Sequence, residues 1–431
     1  MATTGRGVSH LSQRISKNLV PDKLGEVRAY VWDKQYDPDT NPAGTVALAL
    51  AENKLMRDEV TKHINDRFKI TPWHLTYGEG DFGTLALREH IAAFANEAFH
   101  PHQAITASTI RVCNGAGSAI SNLAMCICEP EEGILIGRPL YNGFFPDLQR
   151  QANAKPVLVD MGDDDAVCAG AVQHYETAFL EAQRTGTTIR AILLSNPHNP
   201  LGRPYSKEAL EGFLRLCEKY ELHLISDEVY AKSWFPSTDF PEPPPFVSVL
   251  SLDIQQYCNP ALVHVLYAMS KDFGANGIRI GCLISPFNER LRDAFGSISY
   301  FSRSSQLAEQ AWLSLLADKP FLEAFFPELQ KRMSDAYTYT TDALRAHGVP
   351  YNACSVGSFI WVDMSAWLEE ETEDAELQLN WRMAKGGVWL SMGATFGSER
   401  YGWYRLTFAT PRGELELGLE RLFEVLDEVR P

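Results

Sequence analysis

Basic side chains are scarce in this chain: 39 lysines and arginines face 55 aspartates and glutamates, a formal net charge of −16. A field of that sign repels phosphate backbones and anionic bilayers, which argues against nucleic acid and membrane surfaces as partners. Long apolar runs are missing from the amino-terminal region. Met1 to Asn18 is polar, carries Arg6, Arg14 and Lys17, and leads into nothing resembling a signal peptide or a span. Metal-ligand spacing is missing as well. The eight cysteines are scattered, and Cys126 and Cys128 are too close for a zinc knuckle with no second pair to complete it. These absences lead to the expectation of buried, reduced thiols in a cytoplasmic protein without a metal.

What is present is a soluble globular composition, 45% hydrophobic and 22% charged, in 431 residues, enough for a large core and a smaller unit. From about residue 85 to residue 290 short apolar runs alternate with helix-length amphipathic stretches, the pattern of an α/β sheet wrapped by helices. Strands are expected at Ile110–Cys113, Ile134–Gly137, Pro156–Val159, Arg190–Ser195, Leu222–Ser226, Val263–Ala268 and Arg279–Ile284. Ser118–Cys128 and Lys207–Tyr220 read as helices between them. After about residue 315 come a long charged helical stretch, two short strands (Ser358–Val362 and Tyr404–Phe408) and a closing helix, Leu415–Val429. The expected division is an N-terminal arm, 1–55, packing with a small domain, 316–431, and a large domain, 56–315. Ser237–Pro245 is a proline-rich loop.

Five short motifs follow predicted strands. Gly115-Ala116-Gly117-Ser118 opens a helix with small residues, so its first N–H groups are free for a phosphate. Tyr141 is placed to lay an aromatic face on a planar ligand. Asn196-Pro197-His198-Asn199-Pro200-Leu201-Gly202 is a rigid turn that aims Asn199 inward. Asp227 ends an apolar strand, where a carboxylate is costly unless a cation meets it, and Tyr230 lies three residues on. Ser270-Lys271 follows the strand ending at Ala268, with Arg279 eight residues beyond Lys271.

Together these meet the demands of pyridoxal 5′-phosphate (PLP): Lys271 for the Schiff base, Asp227 to keep the pyridine nitrogen protonated, Tyr230 on the phenolic oxygen, and Gly117, Ser118, Ser270 and Arg279 for the phosphate. In an open α/β sheet, ligands bind at the edge formed by the carboxyl ends of the parallel strands. Arg279 starts its strand, so the last strand must run antiparallel to bring it to that edge. The expected sheet is therefore mixed and mostly parallel.

These blocks, in this order, resemble fold-type I PLP enzymes of the aspartate aminotransferase superfamily. The closer likeness is to 1-aminocyclopropane-1-carboxylate (ACC) synthases and their relatives, from Ala51-Glu52-Asn53 to Tyr404-Arg405-Leu406-Thr407-Phe408-Ala409. The resemblance implies a large domain with a seven-stranded sheet plus a smaller α+β domain, an amino-acid substrate, and a homodimer with shared active sites. It implies that Tyr77 reaches the neighbouring subunit's cofactor phosphate. Arg405, with Asn199, would hold the substrate carboxylate, and Glu52 would face the reacting carbons. Two departures stand out. Lys54 replaces the glutamine that follows Ala-Glu-Asn in the plant enzymes. Asn142-Gly143-Phe144-Phe145-Pro146 lacks their arginine, which helps hold the sulfonium substrate. The implied chemistry is removal of the Cα proton by Lys271, then loss of a sulfur leaving group: from Cγ of S-adenosylmethionine, as in ACC synthases, or from Cβ of a cysteine conjugate, as in C–S lyases of sulfur-metabolite pathways. Transamination is the alternative.

Overall fold

A computed structural model describes residues 11–16, 18–19 and 24–429. The earliest part of the N-terminal arm, including Arg6 and Lys17, lies outside the described residues. The core sheet contains β1 (Ile110–Cys113), β2 (Gly133–Gly137), β3 (Lys155–Val159), β4 (Ile189–Ser195), β5 (His223–Asp227), β6 (Val263–Ala268) and β7 (Gly281–Ile284). Their spatial order is β1-β7-β6-β5-β4-β2-β3. β7 is antiparallel to both neighbours, and every other pairing is parallel. The mixed sheet with an antiparallel last strand is therefore as expected. Arg279, however, lies before β7 rather than in it, in a left-handed turn with φ of 58°.

The period-2 alternation of the strands feeds two cores. Ile134, Ile136, Leu193, Ile225, Leu266 and Leu283 face one, where Ile120 and Leu123 of helix α1 (Ala116–Ile127) join Phe144 and Leu148 of helix α2 (Phe144–Gln149). The intervening residues Leu135, Ile192, Leu194, Leu224, Val265 and Cys282 face the other, around Tyr267 and Trp312. Both faces are dry, which is why these strands read as continuous apolar runs.

Beyond the sheet, a 28-residue helix, Lys319–Ala346, leads to a four-stranded antiparallel sheet built on Phe359–Asp363 and Trp403–Thr407. Its two short outer strands, Tyr351–Asn352 and Ser391–Met392, carry too few residues to show a period. Val46–Ala47 pairs in parallel with Val388–Trp389, so the chain around residue 46 is tied to the C-terminal part. Among the described residues no helix is long and apolar enough to cross a membrane, and no cluster of side chains could hold a metal. All eight cysteines are free, but Cys168 is exposed and Cys126 is half-buried, so the expectation of buried thiols fails at those two.

The strand register fixes the functional edge. Cys113 pairs with Gly281, Gly281 with Ala268, and Ser195 with Asp227, so the ends of β1, β6, β4 and β5 meet the start of β7. Gly281 is closely packed on three sides. A Cβ there would lie 3.0 Å from Ala116 N, Ala268 Cβ and Tyr267 O. Gly281→Val should cost about 1–3 kcal/mol by overpacking, read as a lower urea midpoint, with Gly281→Ala costing less. Equal stability of Val and wild type would show that α1 is not wedged against the sheet.

Candidate functional site

Two adjoining cavities open at this edge and meet at Tyr141, Lys271 and Asn276. The inner one is lined by Ala116 and Gly117 of α1, by Ser195, Asn199, Asp227 and Tyr230, and by Ser270 and Arg279. The outer one is a cleft of about 520 Å³ lined by Ala51, Glu52, Pro146, Arg150, Ser391 and Arg405 among others. Of the twelve residues singled out in the sequence, ten line one cavity or both. Ser118 sits in the same helical turn as Gly117 without lining either. Tyr77 is 82% exposed and lines neither cavity of the single chain.

Asp227 is the last residue of β5, almost fully buried, and its Oδ1 has no hydrogen-bond partner among the described residues. Burial lifts its pKa to about 7, against one backbone N–H from Val229 that favours the charged form. Tyr230 follows on the turn after β5, with its hydroxyl also buried and unpartnered. Lys271 lies in a one-turn helix, α3 (Met269–Asp272), that directly follows β6. Its ammonium donates to Ala51 O at 2.8 Å and sits 5.9 Å from the Tyr230 ring centroid. Burial, then the nearby Arg405 charge, depress its pKa to about 8, with Glu52 and Asp227 pulling the other way.

The phosphate-sized end of the inner cavity is shaped by absence of side chain. Gly115 has φ of 114°, and a Cβ there would lie 2.7 Å from an Arg279 guanidinium nitrogen. A Cβ on Gly143 would lie 2.4 Å from the Tyr141 ring, so the glycine lets that ring settle edge-on against Phe144, 5.2 Å between centroids.

Arg405 is buried, donating from Nη1 to Asn199 Oδ1 at 3.1 Å and from Nη2 to Ala49 O at 2.8 Å, and its Nε is unpartnered. Glu52 accepts from Arg57 at 2.5 Å. Arg57, Asp147 and Asn276 are the residues that motif reading missed. Arg57 and Asn276 belong to no strand-end motif. Asp147 lies on α2, where an acid in the first helical turn looks ordinary. Burial lifts its pKa to about 6, and its carboxylate would meet a Cβ on Gly117 at 3.0 Å.

Asp227 sets a stability signature. Its folded pKa stands above the ordinary value of 3.8, so the folded state is penalised progressively as pH rises from about 4 to about 7, and fully above that. The penalty is on the order of 4 kcal/mol. Cofactor-free Asp227→Asn should therefore be more stable than cofactor-free wild type at pH 8, with the gap closing toward pH 5 in chemical denaturation. A gap independent of pH would mean that Asp227 does not titrate in this range.

The family profile "Aminotransferase class I and II" matches residues 47–422. The chain is 33% identical to "Probable aminotransferase aclI" of Aspergillus oryzae, over 99% of both sequences. It is also 33% identical to the human "1-aminocyclopropane-1-carboxylate synthase-like protein 1", over 98% of this chain and 86% of that one. Among solved structures, Bna3p of Saccharomyces cerevisiae, titled a putative kynurenine aminotransferase, superposes with a TM-score of 0.79 at 17% identity, covering 98% and 100% of the two chains. A Thermus thermophilus aspartate aminotransferase mutant does so at 0.76 and 20%, covering 97% and 100%. These two likenesses concern the fold.

Proposed function

The chain belongs to the aminotransferase class I and II family, whose cofactor is PLP, and from that premise we propose that it eliminates a sulfur leaving group from an amino acid. The cavity fits the cofactor on three counts. Asp227 Oδ1 and Tyr230 Oη are buried polar atoms without partners, suited to a protonated pyridine nitrogen and a phenolic oxygen. The Gly115–Gly117 hollow beside Arg279, at the start of a 12-residue helix, suits a dianion, with Ser270 and the backbone of Ser118 alongside. Tyr141 can lie against the ring, and Asn199 can meet its edge.

Bound there, PLP supplies the electron sink that makes a substrate Cα–H acidic. The protein does the rest. Arg405 offers its guanidinium to the α-carboxylate, held in place by Asn199 and Ala49 O. Lys271, its pKa drawn down to about 8, is readily neutral near physiological pH and removes the Cα proton. Glu52 stands on the side of the cleft where the Cβ or Cγ bond breaks, steadied by Arg57.

The carrying observation for elimination is this carboxylate in the cleft with Lys271, in the Ala51-Glu52-Asn53 setting by which the sequence resembles the ACC synthases. Between the two eliminations, Glu52 favours the S-adenosylmethionine Cγ reaction. Pro146, in place of the sulfonium-holding arginine, favours a cysteine conjugate and its Cβ. Transamination is supported by the name of the Aspergillus oryzae relative, a probable aminotransferase.

We further propose a homodimer in which Tyr77 serves the partner's site. It is exposed, as are Trp73, Leu75 and Phe301, and Arg303 sits 4.8 Å above its ring. The arm 1–55, large domain 56–315 and small domain 316–431 are the proposed units. Free thiols suit a cytoplasmic setting.

One preparation offered S-adenosylmethionine, a cysteine conjugate, and an ordinary amino acid with 2-oxoglutarate should release methylthioadenosine or a free thiol, read by mass spectrometry. Glutamate as the sole product would establish transamination instead. Glu52→Gln should lower turnover about 10²-fold or more with cofactor absorbance intact. Unchanged turnover would remove Glu52 from the site.

A further inference from the structure

The outer cleft holds more positive charge than a simple α-amino acid uses. Four basic side chains line it, of which Arg28 has an interaction of its own, leaving Arg150, Lys271 and Arg405 against one acid, Glu52, which Arg57 already pairs. In a chain of net charge −16 this excess is a local arrangement. On the reading above, Arg405 takes the α-carboxylate and Lys271 serves the α-carbon, which leaves Arg150 without a role.

The backbone of Arg150 is held where it is. Its N–H closes α2 on Pro146 O, and its carbonyl accepts from Asn18 Nδ2 at 3.1 Å. Phe144 and Leu148 bury the inner face of α2. Pro146 and Arg150, four residues apart and so on one face, border the cleft together with Glu52. The acid that feels Arg150 is Asp147 on the same helix, and Arg150 only partly offsets the burial that raises its pKa to about 6. Asp147 directs its oxygens toward Gly117 and does not line the outer cleft. Among the described residues no carboxylate reaches Arg150 at ion-pair distance.

The cleft, at about 520 Å³, takes a ligand well beyond a bare amino acid. We propose that Arg150 binds a second carboxylate at the far end of the substrate's side chain. The substrate is then an amino acid with an acidic distal group, such as a cysteine thioether whose sulfur substituent ends in a carboxylate. This rests on the Arg405 assignment for the α-carboxylate. A guanidinium at the mouth of a cleft prefers a planar carboxylate through paired hydrogen bonds, while its solvent exposure limits the gain.

The test is calorimetric and needs no turnover. PLP-loaded protein is titrated with amino-free dicarboxylates from succinate to suberate and with monocarboxylates of matched length. Wild type should bind at least one dicarboxylate about fivefold more tightly than its match. Arg150→Gln should erase that preference, leaving monocarboxylate affinity and cofactor absorbance unchanged, and Arg150→Lys should restore part of it. No preference in wild type, or an undiminished preference in R150Q, overturns the proposal. Arg405→Leu separates the two claims: lost monocarboxylate binding supports the α-carboxylate assignment, and unchanged binding overturns that assignment and the far-end geometry built on it.

Discussion

A carboxylate buried at the end of β5, one oxygen without a partner among the described residues, is a costly element of this structure, and the neighbouring features are arranged around that cost. Asp227 stands where desolvation lifts its pKa to about 7. An apolar isostere there would be more stable in the isolated chain. The position makes sense when a cation of fixed geometry completes it. On the proposed reading a pyridinium would do so, and the carboxylate would in return keep the ring charged, the property on which α-carbon acidity depends.

The other charges act through the same small volume. Burial, and after it the nearby Arg405 charge, disfavour the Lys271 proton, so Lys271 is pushed toward the neutral amine that can attack or accept a proton. Glu52 opposes this from the cleft side and is itself tied to Arg57. Ala51 O receives the Lys271 ammonium, and Ala49 O receives Arg405. One short segment, 49–52, thus touches the Lys271 amine and the Arg405 guanidinium and carries the acid Glu52. That segment follows the strand pairing of Val46–Ala47 with Val388–Trp389, so the site depends on contact between the sheet edge and the C-terminal part of the chain.

Much of this was legible in the amino-acid order because strand ends carry local punctuation. Asp227, Asn199, Lys271 and Gly117 each follow an apolar run, and a sheet with shared carboxyl ends collects them without further information. The antiparallel β7 could be inferred because Arg279 reads as the start of its strand. Boundaries slipped by one or two residues: β5 runs to Asp227, α1 begins at Ala116, and Lys271 occupies a helical turn. Such limits depend on cap geometry that no periodicity encodes. Arg57, Asp147 and Arg150 were not legible. Their significance comes from tertiary proximity, to Glu52, to Gly117 and to the outer cleft, while in sequence each is an ordinary charge on or next to a helix. Glu52 and Arg405 were accessible through family likeness rather than through any local pattern.

The central claim is that Lys271 carries the cofactor. Borohydride reduction of the PLP-loaded protein followed by peptide mapping tests it most directly. The account predicts one pyridoxyl-modified peptide, containing Lys271, and none in Lys271→Ala with loss of the cofactor's characteristic absorbance. Modification at any other lysine in the wild type, or absorbance retained in Lys271→Ala, would contradict it.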